Sequence, residues 1–151
     1  MMLFVAWMSR VVLGGVFIYG GYTKVQAELQ FAAAIAAYRL VPDRFLLPVA
    51  TYLPWVEIVL GILILTSLKT RWVAGFATAL LSFFIVILTI TYLRGIEANC
   101  GCFGVGEPIS PLTIVRDSLF LAPAIFLMTA PVTRAGRSLP RSATPVPPPA
   151  A

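Results

Sequence analysis

The chain has 151 residues, of which 60% are hydrophobic and only 11% are charged, and its formal net charge is +5. A soluble domain of this size is usually about 25% charged, and so large an apolar surplus cannot be buried in one small globule, so the bilayer is its natural solvent. The lack of histidine removes the usual general base, two cysteines alone cannot build a four-ligand zinc site, and no basic stripe with interleaved aromatic residues indicates nucleic acid.

The first apolar segment runs from Met1 to about Lys24 and is interrupted only by Arg10. Its length predicts a transmembrane helix. A cleaved signal peptide is the alternative, because Val25-Gln26-Ala27 faintly resembles a cleavage site. Residues 1–9 carry no basic side chain, however, and the apolar stretch is longer than a typical signal core. We therefore expect this segment to be retained as the first membrane span.

The next segment, Glu28–Pro42, is shorter and rich in alanine. Phe31, Ile35 and Tyr38 recur at helical spacing and form a single apolar stripe, while the ends of the segment are charged. This pattern predicts a short helix at the membrane interface that Pro42 terminates.

Two further spans follow with almost no connection between them. Phe45–Leu68 is long enough to cross the bilayer, with Pro54 as an expected kink and Glu57 near its middle. The connection Lys69-Thr70-Arg71 is very short, so the second and third spans are predicted to form an antiparallel hairpin. Trp72–Leu93 is the third span and carries no charge.

A glycine-rich loop, Arg94–Ile109, contains the only two cysteines of the chain and four glycines, so it is not expected to be helical. Ser110-Pro111 reads as an N-cap followed by a proline at the first helical position, and the fourth span then runs to about Ala130. We thus predict an all-α membrane domain over residues 1–130 and a disordered, proline-rich tail over residues 131–151.

The basic residues suggest an orientation. With four spans, both termini lie on one side, together with Lys69 and Arg71 of the hairpin and three tail arginines: Arg134, Arg137 and Arg141. This side is predicted to be cytoplasmic. The cysteine loop then faces the outside, which in a bacterium is the oxidising periplasm.

Cys100-Gly101-Cys102 favours thiol–disulfide exchange. A disulfide across so short a spacing closes a small, strained ring, and strained, exposed disulfides are the exchangeable ones. A purely structural staple is disfavoured, because closing so short a loop removes little chain entropy. A structural mixed disulfide, a Cu(I) site completed by a partner and inert cysteines remain alternatives, and the attacking cysteine is not assigned. Gly101 relieves the backbone crowding that any other residue would add to the ring. Phe103 is expected to anchor the loop against the bundle, and Gly104 is one of the glycines that keep the loop from being helical.

Four charged residues lie inside the apolar segments: Arg10, Glu57, Arg116 and Asp117. Each costs about 2.5–3.5 kcal/mol at a helix centre, so partners are expected. Glu57 is the deepest, and Arg10 or Arg116 from a neighbouring helix is its expected partner. Arg116 and Asp117 are adjacent, about 100° apart on a helix, and are not expected to pair well. Alternatively the two arginines extend to the membrane surfaces, and Glu57 belongs to a proton path or faces a quinone.

The sequence resembles the MauE branch of the MauE/DoxX family of redox-associated membrane proteins over about residues 6–130. The cysteine-loop block, Cys100-Gly101-Cys102-Phe103-Gly104 followed by Arg116-Asp117, is the most specific feature. Less specific blocks carry the rest of the resemblance: Arg10-x3-Gly14-x2-Phe17 with Gly20 or Gly21 and Lys24, Phe31 with Tyr38-Arg39-Leu40-Val41-Pro42, and Leu53-Pro54-Trp55-Val56-Glu57 with Gly61.

The resemblance implies a four-helix bundle in the inner membrane. It implies a role in methylamine utilisation, in maturing the disulfide-rich small subunit of methylamine dehydrogenase beside a thioredoxin-like partner, MauD. The bundle is also similar to the quinone-linked thiol oxidases DsbB and the vitamin K epoxide reductase homologues. Those proteins carry a C-x-x-C motif and usually a second cysteine pair for relay. This chain has neither, which argues against an internal electron relay. A quinone is left open as a cofactor, and none is assigned.

Three functions therefore stand side by side. The first is a membrane thiol–disulfide component that exchanges through the cysteine loop with a thioredoxin-like partner. The second is a non-enzymatic maturation or docking subunit, for which the cysteines are dispensable. The third is a small proton or solute transporter built around Arg10, Glu57 and Arg116, which the lack of an internal repeat disfavours.

Overall fold

The computed structural model describes residues 2–66, 70–100 and 107–129, and all regular secondary structure in these ranges is helical. Four of the five helices are long and apolar enough to cross a membrane, and the exception is the second. This confirms the predicted all-α, four-span architecture with a short helix between the first two spans. The helices are α1 (Met2–Gln26), α2 (Glu28–Tyr38), α3 (Asp43–Leu65), α4 (Thr70–Leu93) and α5 (Pro111–Thr129).

Small residues bring α1 and α3 into close contact. A Cβ atom on Gly61 would lie 2.7 Å from the carbonyl oxygen of Gly14, and one on Gly21 would lie 2.6 Å from the carbonyl oxygen of Pro54. Advancing along α1 therefore means moving back along α3, so the two helices are antiparallel. In a bilayer, such stripes of small residues allow backbones to approach and gain packing contacts.

Three apolar clusters are found among the described residues, and one of them contains Cys100. Of the other two, the larger joins α1, α3, α4 and α5, and the smaller packs the stripe of α2 against α3 through Phe31, Ile35 and Ala50. The predicted apolar stripe of α2 is thus confirmed. Buried members of the larger cluster are Leu13, Phe17, Leu60, Ile64, Ala74, Ala77, Ala124 and Leu127.

Large apolar side chains also cover the outside of the bundle. Trp72 is 81% exposed and Leu112 is 79% exposed, and every long helix presents further examples. In water such a surface would be an aggregation hazard, whereas in a bilayer it is the expected surface of a membrane-spanning bundle.

The ends of the helices largely follow the sequence pattern. The Ser110 hydroxyl accepts a hydrogen bond from the Thr113 amide at 3.2 Å, which confirms the predicted N-cap of α5. Arg39 ends α2 in a left-handed conformation with φ 53°. The predictions for Lys69, for Gly101, Cys102, Phe103 and Gly104, and for the tail from residue 131 onward lie outside the described residues.

Candidate functional site

A buried ion pair joins α1 to α3. The Lys24 ammonium donates to both carboxylate oxygens of Glu57, at 2.6 and 2.7 Å, and the two side chains are only 6% and 12% exposed. The expectation that Arg10 or Arg116 would be the partner of Glu57 is therefore wrong. Arg10 precedes Lys24 by fourteen residues on α1, which is about 21 Å of helix.

Lys24 was not selected from the sequence, because a lysine near the end of an apolar segment is typical of the membrane–water interface. In the structure, the C-terminal part of α1 packs beside the middle of α3, so that this lysine lies level with Glu57. Burying either charge alone is costly, so Glu57 required a cation from a neighbouring helix. Lys24 is the nearest cation on the adjoining helix, and this requirement could have predicted the pair.

Two phenyl rings complete the surroundings of the ammonium. Lys24 Nζ lies 5.3 Å from the ring centre of Phe31 on α2 and 5.6 Å from that of Phe84 on α4. Both distances are within cation–π range. The ion pair is therefore held between four elements of the bundle rather than at its surface.

The ion pair lines a cavity of about 370 Å³, to which residues of all five helices contribute. Its wall is almost wholly apolar, and the charged groups on it are Lys24, Glu57 and Asp117, while the Tyr38 side chain also contributes. Asp117 is only 2% exposed. Of the four charged residues selected from the sequence, two therefore line this cavity, Glu57 and Asp117. The third charged group on the wall is Lys24, which was not selected.

Arg116 connects this region to the cysteine loop. Its guanidinium donates to both carboxylate oxygens of Glu107, at 2.9 and 3.1 Å, and its Nε donates to the Asp117 carboxylate at 3.3 Å. Arg116 and Asp117 were not expected to pair well, but the structure shows this contact between them. The shorter contacts of Arg116 are those to Glu107, a loop residue that sequence analysis did not select.

The base of the cysteine loop is a short antiparallel pairing of its two ends. The Cys100 amide donates to the Glu107 carbonyl at 2.7 Å, and the Ile109 amide donates to the Ala98 carbonyl at 3.0 Å. Cys100 is disulfide-bonded and has no exposed surface. The expectation of an exposed cysteine pair is therefore wrong for Cys100, which packs against Tyr38 and Leu88.

Tyr38 ties the loop to α2. Its hydroxyl donates to the carbonyl oxygens of Asn99 and Cys100, at 2.9 and 2.7 Å. Burial, and to a smaller extent the negative charge of Asp117, raise the pKa of the Tyr38 phenol above its usual range. The phenol therefore stays protonated and remains a donor well beyond neutral pH. Because Tyr38 also lines the cavity, one side chain contacts both the cavity and the cysteine loop.

Comparisons with known proteins agree on one family. The family described as "Methylamine utilisation protein MauE" matches residues 2–130. The chain is 32% identical to the methylamine utilization protein MauE of Paracoccus denitrificans over 144 residues, which covers 93% of this chain and 77% of the relative. It is 25% identical to the protein of the same name from Methylophilus methylotrophus, covering 78% of this chain and 67% of that relative. No solved structure matches the chain.

Proposed function

The chain belongs to the MauE family of methylamine utilisation proteins, and from this premise we propose that it is a membrane thiol–disulfide component of that process. The observation that carries the proposal is the way in which Cys100 is held. Its sulfur is disulfide-bonded, its carbonyl accepts from Tyr38, and its amide donates to Glu107. A scaffold that fixes the backbone of one cysteine so firmly is suited to presenting a disulfide in a defined geometry.

We infer that Cys102, the only other cysteine of the chain, is the disulfide partner and the sulfur that a partner protein attacks. Cys100 is fully buried, so an incoming thiolate cannot reach it without displacing Tyr38 or Leu88. In the exchange, the partner thiolate forms a bond to the sulfur of Cys102. The bond between the two cysteines breaks, and the electron pair remains on Cys100 as a thiolate. A second partner thiolate then releases Cys102, so the partner is oxidised and the loop is reduced.

The orientation and the partners belong to the same proposal. Basic residues of the hairpin and the tail favour cytoplasmic termini in the bacterial inner membrane, which leaves the cysteine loop in the periplasm. A thioredoxin-like protein of the MauD kind fits as the exchange partner, because such proteins present a reactive thiol pair. A disulfide-containing client, of the type of the methylamine dehydrogenase small subunit, then receives or donates the disulfide.

A matched pair of single-cysteine variants tests the assignment of roles. Cys100→Ser leaves Cys102 as a lone thiol. In the reverse of this exchange its thiolate attacks the disulfide of the oxidised partner, one partner sulfur leaves as a thiolate, and we expect the resulting mixed disulfide on non-reducing gels. Cys102→Ser retains only the buried sulfur, and we expect no adduct. Adducts with both variants, or only with Cys102→Ser, would contradict the assignment. If neither variant forms an adduct under oxidising conditions, the exchange function itself is refuted.

A second candidate function is a docking subunit, and a groove beside the loop favours it. The groove has a volume of about 750 Å³ and lies between α2 and the two ends of the cysteine loop, with a floor of small alanines: Ala33, Ala34 and Ala37. The double variant Cys100→Ser/Cys102→Ser separates the two functions. A docking subunit retains its activity in the double variant, whereas a thiol–disulfide component loses it.

A further inference from the structure

The cavity inside the bundle has the properties of a ligand site rather than of a packing defect. Its volume of about 370 Å³ lies in the range of about 300–1,000 Å³ that is typical of small-molecule sites. All five helices contribute to the wall. Aromatic rings supply much of this wall: Phe17, Phe31, Phe83, Phe84 and Phe120.

The polar groups of the cavity define the chemistry of the ligand. An ammonium has three N–H donors, and the Lys24 ammonium directs two of them to Glu57. Among the described residues nothing accepts the third, so one donor remains for a ligand oxygen. The Asp117 carboxylate on the same wall can accept from a ligand hydroxyl. Lys24 is paired with Glu57, and Arg116 contacts Asp117, so the wall offers no uncompensated charge to an ion.

We propose that this cavity binds the ring of a membrane-soluble quinone or hydroquinone. Aromatic walls favour a planar ring, the ammonium favours a ring carbonyl oxygen, and the carboxylate favours a ring hydroxyl. A charged metabolite is disfavoured, because the wall is apolar and its charges are already paired. A phospholipid acyl chain fits the apolar wall but leaves the ammonium without an acceptor. The bilayer position of the bundle gives a lipid-soluble ring direct access.

A quinone in this cavity would also accept the electrons of the loop thiols, an electron-transfer step that rests on the proposed function. In that step, the two loop thiols give up two electrons and two protons and form their disulfide. The quinone takes up both electrons and both protons and becomes the hydroquinone. Tyr38 touches the cavity and holds the backbone of Cys100, so a ring in the cavity lies beside the residue that positions the loop.

Equilibrium binding of decylubiquinone to the purified protein in lipid nanodiscs tests the site directly. We expect saturable binding of one molecule per chain. Phe84→Leu removes a ring beside Lys24 and is expected to weaken binding about 3- to 10-fold, the effect of one lost aromatic contact. Phe76→Leu is the matched control, because Phe76 lies on the same helix, is 56% exposed and does not line the cavity. Val16→Phe, which fills the cavity without removing a polar group, is expected to abolish saturation.

Three results would refute the proposed quinone site. Uptake that rises linearly with decylubiquinone concentration indicates simple partition into lipid. Equal effects of Phe84→Leu and Phe76→Leu place the ligand elsewhere, and displacement by palmitate at similar concentrations identifies an acyl-chain site. The double variant Cys100→Ser/Cys102→Ser separates this inference from the proposed function, since it must still bind decylubiquinone. Binding without quinone reduction by the reduced wild-type protein refutes the electron-transfer step alone.

Discussion

Replacing Lys24 by methionine leaves the Glu57 carboxylate buried without its cation. The Lys24 ammonium lies 2.6 and 2.7 Å from the two Glu57 carboxylate oxygens, and at an effective dielectric constant of about 20 their attraction amounts to about 6 kcal/mol. Desolvation of both ions offsets most of this attraction, so the intact pair adds little net stability. Removing one partner costs far more, because the remaining charge keeps its desolvation penalty. We therefore expect Lys24→Met to lower the free energy of unfolding by about 3–5 kcal/mol.

The double variant Lys24→Met/Glu57→Met removes both charges and keeps similar side-chain volumes. We expect it to recover most of the lost stability, to within about 1 kcal/mol of the wild type. Arg94→Met is the matched control, because it removes an exposed cation at the end of α4 and is expected to change stability by less than about 0.5 kcal/mol. Unfolding by denaturing detergent in mixed micelles, followed by circular dichroism, gives these differences. If the double variant is as unstable as Lys24→Met, the buried ion-pair reasoning is refuted.

The remaining predictions concern helix packing and the loop anchor. Gly61→Ala places a Cβ atom against the backbone of α1, and we expect it to lower the free energy of unfolding by about 1–3 kcal/mol in the same assay. Gly15→Ala is the control, because its Cβ atom enters open space and is expected to cost nothing. Equal effects of the two substitutions would contradict the close contact between α1 and α3. Tyr38→Phe removes both hydrogen bonds to the loop and is expected to speed reduction of the Cys100 disulfide by a water-soluble phosphine about 10-fold, while the exposed control Tyr52→Phe leaves the rate unchanged. Because the pKa of Tyr38 is raised in the folded protein, its contribution to the anchor is complete below the ordinary tyrosine pKa of about 10 and is lost as the pH rises above that value. The reduction rate should therefore accelerate above about pH 10 in the wild type and not in Tyr38→Phe, and a matching acceleration in both would exclude Tyr38 as its cause.

The helices could be predicted from the sequence because each of them depends on a local pattern of residues. Apolar length alone defines the four spans, the recurrence of Phe31, Ile35 and Tyr38 defines the buried stripe of α2, and Ser110 next to Pro111 defines the start of α5. These features depend on neighbours in the chain, so one sequence suffices to find them.

The contents of the site depend on how the helices pack, which no local pattern contains. The pairing of Glu57 with Lys24 follows from the antiparallel alignment of α1 and α3, which is set by contacts between glycines far apart in the sequence. The burial of Cys100 follows from Tyr38, a residue that is 62 positions earlier in the chain. Sequence reasoning found the cysteine motif and the charge that needed a partner, but the partner and the anchor required the three-dimensional arrangement.

We propose that the cysteine loop carries an exchangeable disulfide on the outer side of the membrane. The experiment to perform is labelling of intact cells with a high-mass, membrane-impermeant maleimide, with and without prior reduction. We expect no mass shift without reduction and, after reduction, a shift of one adduct on Cys102, because the Cys100 thiol is buried in the folded protein. Full labelling of both thiols without reduction would contradict the disulfide. Absence of labelling after reduction in intact cells, together with labelling in permeabilised cells, would contradict the orientation.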